Sequence, residues 1–170
     1  MNSKKILLIS DTHGFFDESL WSYVNEADEV WHAGDVGDMK IIDSLQSFPG
    51  KLRGVFGNID GGDMRLEFPE YQFLQYGALR VLIIHIAGRL GTYNLRVRSL
   101  ISECRPDVLV CGHSHILKVG YDKRFNLLYM NPGACGHHGF HKIRTVLSFS
   151  IVNDKVHDIN AIELGRRGRR

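Results

Sequence analysis

Seven side chains between positions 11 and 115 have the types and spacing to hold divalent metal: Asp11 and His13, Asp35, Asn58, His85, and His113 with His115 in Gly112-His113-Ser114-His115. Carboxylate and amide oxygens combined with neutral imidazoles suit Mn, Fe, Zn or Ni. The absence of cysteine from the set argues against a soft-metal or structural zinc site. Side chains alternate faces along an extended segment, so Asp11-x-His13 and His113-x-His115 each put two donors on one side. Each pair can serve one ion or two neighbouring ions. A lone Asp can bridge two metals through its two oxygens, and Asp35, in the middle of the set, is the candidate for that role. The set reads as a site for a pair of divalent ions.

Each donor stands at or just past the end of an apolar run. Lys5-Ile6-Leu7-Leu8-Ile9-Ser10 has the nearly continuous apolar character of a strand buried on both faces, and Asp11 follows at once. Open α/β sheets place their sites outside the carboxyl ends of the strands, which puts Asp11 and His13 on the functional edge. Residues 29–35 repeat the pattern, with Gly34 allowing a tight turn before Asp35. Residues 51–58, 80–85 and 107–113 deliver Asn58, His85 and His113 in the same way. Between these runs, apolar spacing predicts helices over 16–26, 39–47 and 94–104, the second ended by Pro49-Gly50 and the third by Pro106. Three hairpins are expected: 71–76 with 79–86 around Gly77, 116–121 with 127–130, and 145–152 with 156–162 around Asn153-Asp154. Strand–helix alternation followed by hairpins implies two packed β-sheets with helices outside.

Composition agrees with one domain over residues 1–164. A chain of 170 residues buries roughly 70% of its unfolded surface, and 44% hydrophobic content supports a sizeable core. The three cysteines, Cys104, Cys111 and Cys135, are odd in number and form no Cys-x-x-Cys, which favours a reducing compartment. No basic-flanked apolar leader and no run approaching about 20 apolar residues is present, so a cytoplasmic protein with no membrane span is expected. The net charge of +2 includes four arginines in Gly165-Arg166-Arg167-Gly168-Arg169-Arg170, so the body is acidic. Residues 165–170 are expected to be a disordered basic tail, and a nucleic-acid partner is not indicated.

The ordered series Asp-x-His, Gly-Asp, Gly-Asn-x-Asp, His and Gly-His-x-His resembles the calcineurin-like metallophosphoesterase superfamily. The small size and Asn131-Pro132-Gly133 are similar to its compact YfcE-like phosphodiesterase branch. The resemblance implies a four-layer αββα sandwich, with two mixed sheets flanked by helices. It also implies one metal held by Asp11, His13 and His115, a second by Asn58, His85 and His113, and Asp35 bridging them. The ions would be two per chain, Mn first among Mn, Fe, Zn and Ni, and the substrate a small phosphoester, with a homo-oligomer compatible. The expected reaction is in-line hydrolysis by a hydroxide held between the ions, with diesters preferred over monoesters. Two divalent ions offset by Asp11, Asp35 and a hydroxide leave about +1, which matches a diester. The alternatives are a phosphomonoesterase with the same metals and a non-catalytic interaction scaffold, as in the retromer subunit that shares this fold.

Two departures from the family pattern stand out. Ile59 replaces the histidine that many members place after the Gly-Asn of this motif, where it is thought to protonate the leaving group; Asp60 beside it is expected to be placed to orient an imidazole there. Ile86 stands after His85 where the family usually has Gly. Of the remaining polar residues, Asp38 reads as a turn or helix-cap residue, His32 as a satisfied core histidine and His157 as surface. His137, His138 and His141 read as a solvated loop, with overhang of the metals, and supply of the proton Ile59 lacks, as the functional alternative.

Overall fold

The computed structural model describes residues 3–168. The first apolar run forms β1 (Ser3–Ile9), the middle strand of a five-stranded sheet, so its side chains from Ile6 onward are buried on both faces. β2 (Glu29–His32) and β3 (Lys51–Gly54) continue this sheet in parallel. On the other side of β1, β11 (Ile143–Val152) and β12 (Lys155–Arg166) add an antiparallel hairpin. In the second sheet, β5 (Leu79–Ile84), β8 (Val108–Val110) and β10 (Leu127–Pro132) run parallel. β4 (Tyr71–Tyr76) and β9 (Leu117–Asp122) pair antiparallel on its edges.

Period-two alternation distributes each strand between layers. Ile6 and Leu8 point between the sheets with Trp31, Val81, Ile83 and Phe149, whereas Leu7 and Ile9 face outward. Helices cover both outer faces. α1 (Trp21–Glu26), α2 (Met39–Gln46) and α3 (Gly62–Glu67) lay Val24, Ile41, Ile42, Leu45 and Met64 on the first sheet. α4 (Leu95–Cys104) lays Val97, Leu100 and Ile101 on the second. This is the αββα sandwich expected from the sequence.

Local side-chain chemistry moves some boundaries. The first helix starts later than residue 16, because Asp17 accepts from the Ser19 N–H (2.9 Å) and caps a 3-10 turn, Glu18–Leu20, that leads into α1. Asn94 is the cap of α4 rather than its first residue, accepting from the Val97 N–H at 2.9 Å. Asp38 caps α2 as expected, accepting from the Lys40 N–H. α3 and a short hairpin of β6 (Gly88–Arg89) and β7 (Thr92–Tyr93) were not anticipated, being too short for a periodic signal.

The basic tail also departs from expectation. β12 carries Gly165 and Arg166 in the sheet, and the Arg167 N–H donates to the Lys142 carbonyl while its guanidinium donates to the carbonyls of His141 and His137. Composition records charge but not these backbone partners. Arg169 and Arg170 lie outside the described residues. Among the described residues no helix is long and apolar enough to cross a membrane.

Candidate metal centre

The carboxyl ends of the parallel strands in both sheets converge on one edge of the sandwich. The first sheet contributes Asp11 and His13 after β1, Asp35 after β2 and Asn58 after β3; the second contributes His85 after β5, and His113 and His115 after β8. Two clusters result, Asp11 with His13 and His115, and Asp35 with His85 and His113, each with ligand atoms within 4.8 Å of one another. Asn58 Oδ1 joins the second cluster, 2.8 Å from His113 Nδ1 and 3.2 Å from His85 Nε2. Asp35 faces both clusters, with Oδ1 3.2 Å from His85 Nε2 and Oδ2 3.7 Å from His13 Nε2. All seven residues singled out in the sequence are thus brought together.

The backbone here is strained. Asp11, His13, Asp35, His113 and His115 adopt φ of 55°, 48°, 55°, 66° and 56°, in the left-handed region that non-glycine residues rarely enter. Such conformations cost of order 1–3 kcal/mol each and persist only where the surroundings over-determine them. Those surroundings are visible. His13 N–H donates to the Asp35 carbonyl, Gly112 N–H to the His85 carbonyl, and His113 N–H to Asp11 Oδ2 (3.1 Å). Asn131, fully buried, donates to the Gly112 carbonyl (2.8 Å) and the Ser114 hydroxyl (3.2 Å), pinning the Gly-His-x-His turn. Gly34 (φ 96°) and Gly57 supply close approach: a Cβ at either would strike the His85 ring or the Asp35 carboxylate.

Ring orientation is set from behind. His85 Nδ1 lies 2.7 Å from the Ala33 carbonyl, which can only accept, so Nδ1 carries the proton and Nε2 is left to face Asp35 and Asn58. His141 Nε2 donates to the Gly136 carbonyl (3.0 Å), leaving its Nδ1 to accept from His115 Nδ1 (3.3 Å). His115 Nε2 then faces the site unprotonated, 3.1 Å from Asp11 Oδ1.

One observation tests whether these residues fit a metal. Asp11 Oδ2 is held by the Ser10 hydroxyl (2.6 Å) and the His113 N–H, but Oδ1, fully buried, has no hydrogen-bond partner among the described residues. It looks instead toward Nε2 of His13 and His115, which are 3.2 Å apart. An unpartnered buried carboxylate oxygen costs of order 1–3 kcal/mol or more, and a cation among oxygen and imidazole donors satisfies it. Burial lowers the pKa of His13 and His113, which favours the neutral, ligating imidazole. Burial also pulls the His85 pKa down, but the Asp35 and Asp11 carboxylates together with the Ala33 carbonyl outweigh it and raise that pKa. Burial raises the Asp35 pKa in turn, and the neighbouring His85 and His13 imidazoles and the Ile59 N–H together overcome it, so the carboxyl stays below its usual range. The thiols of Cys111 and Cys135 are buried and pushed up to about 12 by that burial, and they bond to Tyr129 and the Ser10 carbonyl rather than facing the site.

Several residues have roles the sequence did not reveal, and one expectation is overturned. Asp60 does not stand ready to orient a group at position 59. Its carboxylate accepts from the N–H groups of Val36, Gly37 and Gly57 at 3.1, 2.9 and 2.8 Å, tying the loop after β2 to the loop after β3. The Ile59 N–H donates to Asp35 Oδ1 (3.0 Å), while its side chain is exposed. The histidine loop does overhang the site: His138 stacks on His13 with centroids 4.8 Å apart, and His141 backs His115. His137 turns away toward Phe15 and the Arg167 carbonyl. His32 is a core histidine, fully buried, with Nδ1 accepting from the Gly34 N–H and Nε2 bonded to the Thr12 hydroxyl. His157 is exposed.

The chain is similar to known proteins in sequence and in fold. A probable metallophosphoesterase of Methanocaldococcus jannaschii is 31% identical over 134 residues, spanning 75% of this chain and 66% of that relative's length. Among solved structures, a novel archaeal phosphodiesterase superposes with a TM-score of 0.68 at 21% identity, covering 94% of this chain and 99% of the other. Vps29 of Entamoeba histolytica complexed with zinc does so with a TM-score of 0.67 at 15% identity, covering 94% and 98%. At these identities the structural likeness is one of fold. A family model described as the calcineurin-like phosphoesterase superfamily domain matches residues 5–154, and the chain belongs to that superfamily.

Proposed function

We propose that this chain is a phosphoesterase with two divalent ions that hydrolyses phosphodiesters. The observation that carries the reading is the orientation of Asp35, whose two oxygens address the two donor clusters separately. Asp11, His13 and His115 would hold one ion and Asn58, His85 and His113 the other, with Asp35 placed between the two clusters. The donor chemistry suits Mn, with Fe, Zn and Ni as alternatives. When bound, the ions supply Lewis-acid stabilisation of phosphoryl oxygens and lower the pKa of water toward 7.

The chain's own residues do the rest. Ile59 N–H holds Asp35 in place while Gly57 leaves room for its carboxylate, Asn131 holds the turn that carries His113 and His115, and the carbonyls behind His85 and His141 fix which ring nitrogens face the substrate. Ile59 offers no proton to a departing alkoxide, which favours activated ester arms. The net charge of about +1 at a loaded centre, and the likeness to a protein named as a phosphodiesterase, both support diesters over monoesters.

The test starts from metal-free protein loaded with Mn. Bound metal is counted, and bis(p-nitrophenyl) phosphate, p-nitrophenyl phosphate and nucleotides are offered as substrates. Two ions per chain, turnover of the diester ahead of the monoester, and loss of activity with chelator are expected; Asp35→Ala should remain folded and bind fewer ions. A monoester preference selects the phosphomonoesterase reading. Two bound ions with no hydrolysis of any substrate favour a binding scaffold, and an Asp35→Ala variant with two ions and full activity removes Asp35 from the centre.

A further inference from the structure

A cavity of about 450 Å³ opens beside the second donor cluster, with Asn58 and His85 forming part of its wall. That volume falls within the range of about 300–1,000 Å³ usual for small-molecule sites. Phe56, Ile84, Ile86 and Leu95 give it apolar walls, and Arg65, Arg96 and Glu70 set charges at its rim. Ile86 and Leu95 are 39% and 82% exposed. Single exposed apolar residues are ordinary, but two lining one cavity that is continuous with a polar centre form a surface a ligand would cover.

We infer that this cavity receives one ester arm of the substrate and selects an aromatic arm, so that the preferred substrates are aryl-type phosphodiesters. The inference rests on the phosphoesterase reading and adds the substrate class. Position is the first reason: a phosphoryl group held near Asn58 and His85 has the cavity as its neighbour. The character of the walls is the second. Arg65 lies over the Phe56 ring, its guanidinium carbon 4.4 Å from the centroid, with Nε fastened to the Asp60 carbonyl at 2.7 Å. Arg96 lies over Tyr71 at 5.3 Å and pairs with Glu70 at 3.2 Å. Oriented guanidinium groups and apolar walls favour a flat, electron-rich ring, by stacking and cation–π attraction. Phe56, Ile84, Ile86 and Leu95 offer a polyol arm no side-chain hydrogen bond, which confines its partners to Arg65, Glu70, Asn94 and Arg96.

Binding separates this inference from catalysis. Zinc-loaded protein carrying labelled isoleucine and leucine methyl groups is titrated with phenylphosphonate, methylphosphonate and glycerol 3-phosphate, following the methyl resonances of Ile86 and Leu95. Phenylphosphonate should shift both and bind at least about tenfold tighter than methylphosphonate, the scale expected for burying a ring against apolar walls. Leu95→Ser, at a mostly exposed position, should weaken phenylphosphonate several-fold and leave methylphosphonate unchanged. Equal binding of the phenyl and methyl compounds, tighter binding of glycerol 3-phosphate, or shifts that bypass Ile86 and Leu95 would overturn the inference. If phenylphosphonate behaves as expected but no ester is hydrolysed, the proposed function fails and the cavity assignment stands; hydrolysis without aromatic preference has the opposite meaning.

Discussion

Replacing Asp60 by Ala removes one carboxylate from three backbone N–H groups on two loops. Val36 and Gly57 are buried, so their donors are left without solvent to replace the lost acceptor, whereas Gly37 is exposed and can turn to water. Two buried unsatisfied donors cost about 2–6 kcal/mol. For a chain of this size each kcal/mol lowers Tm by about 2–4 °C, so Asp60→Ala should melt at least about 4 °C below wild type in chelator. The loops it frees carry Asp35 and Asn58, so metal binding should weaken as well. Asp60→Asn should be milder, because an amide oxygen at the Oδ2 position keeps the buried Val36 and Gly57 donors and leaves the amide nitrogen opposing only the exposed Gly37 N–H. Calorimetry on metal-free protein and titration with Mn measure both effects. A melt within about 1 °C of wild type, with unchanged metal affinity, would refute the clamp.

Three further outcomes are expected. Burial holds the pKa of His32 down to about 4, against 6.5 in the unfolded chain, so the unfolded state binds more protons between those values. Its stabilisation is complete above pH 6.5 and declines as pH falls toward 4, by up to about 3 kcal/mol; urea melts across that window should show the decline, and His32→Gln should flatten it. His141→Ala removes the acceptor behind His115 and should weaken metal binding at the Asp11 cluster about 10–100-fold while sparing the other, resolved by calorimetric titration; equal loss at both clusters would argue against the ring-orienting role. The wild-type rate should depend steeply on leaving-group pKa because Ile59 cannot donate, and Ile59→His should help alkyl esters selectively. With Asp60 already engaged, that gain should sit at or below the low end of the usual 10²–10⁴-fold range for general acid catalysis, and a flat wild-type dependence would show that another group supplies the proton.

The strands and the seven donors were legible because each is a local matter. Buried parallel strands need continuous apolar runs such as residues 5–10, and a donor just past such a run is carried to the sheet edge whatever the details of packing. Asp38 and His32 were legible for similar reasons. Asp60 was misread because its neighbour in sequence is Ile59, while its hydrogen-bonding partners lie 23 and 24 residues away in another loop as well as on Gly57. The ordered end of the tail was likewise hidden, since Arg167 is held by carbonyls of residues 137, 141 and 142.

The amino-acid sequence alone thus determined which oxygen and imidazole donors stand at which strand ends, because side-chain type and hydrophobic period are properties of short stretches. Only the tertiary structure decided how Asp35 divides its two oxygens between clusters, which ring nitrogens face the site, and that the histidine loop lies over His13 and His115. Those facts depend on two sheets closing against one another. Hydrogen bonds at a strained, left-handed backbone choose among orientations that no local sequence pattern distinguishes.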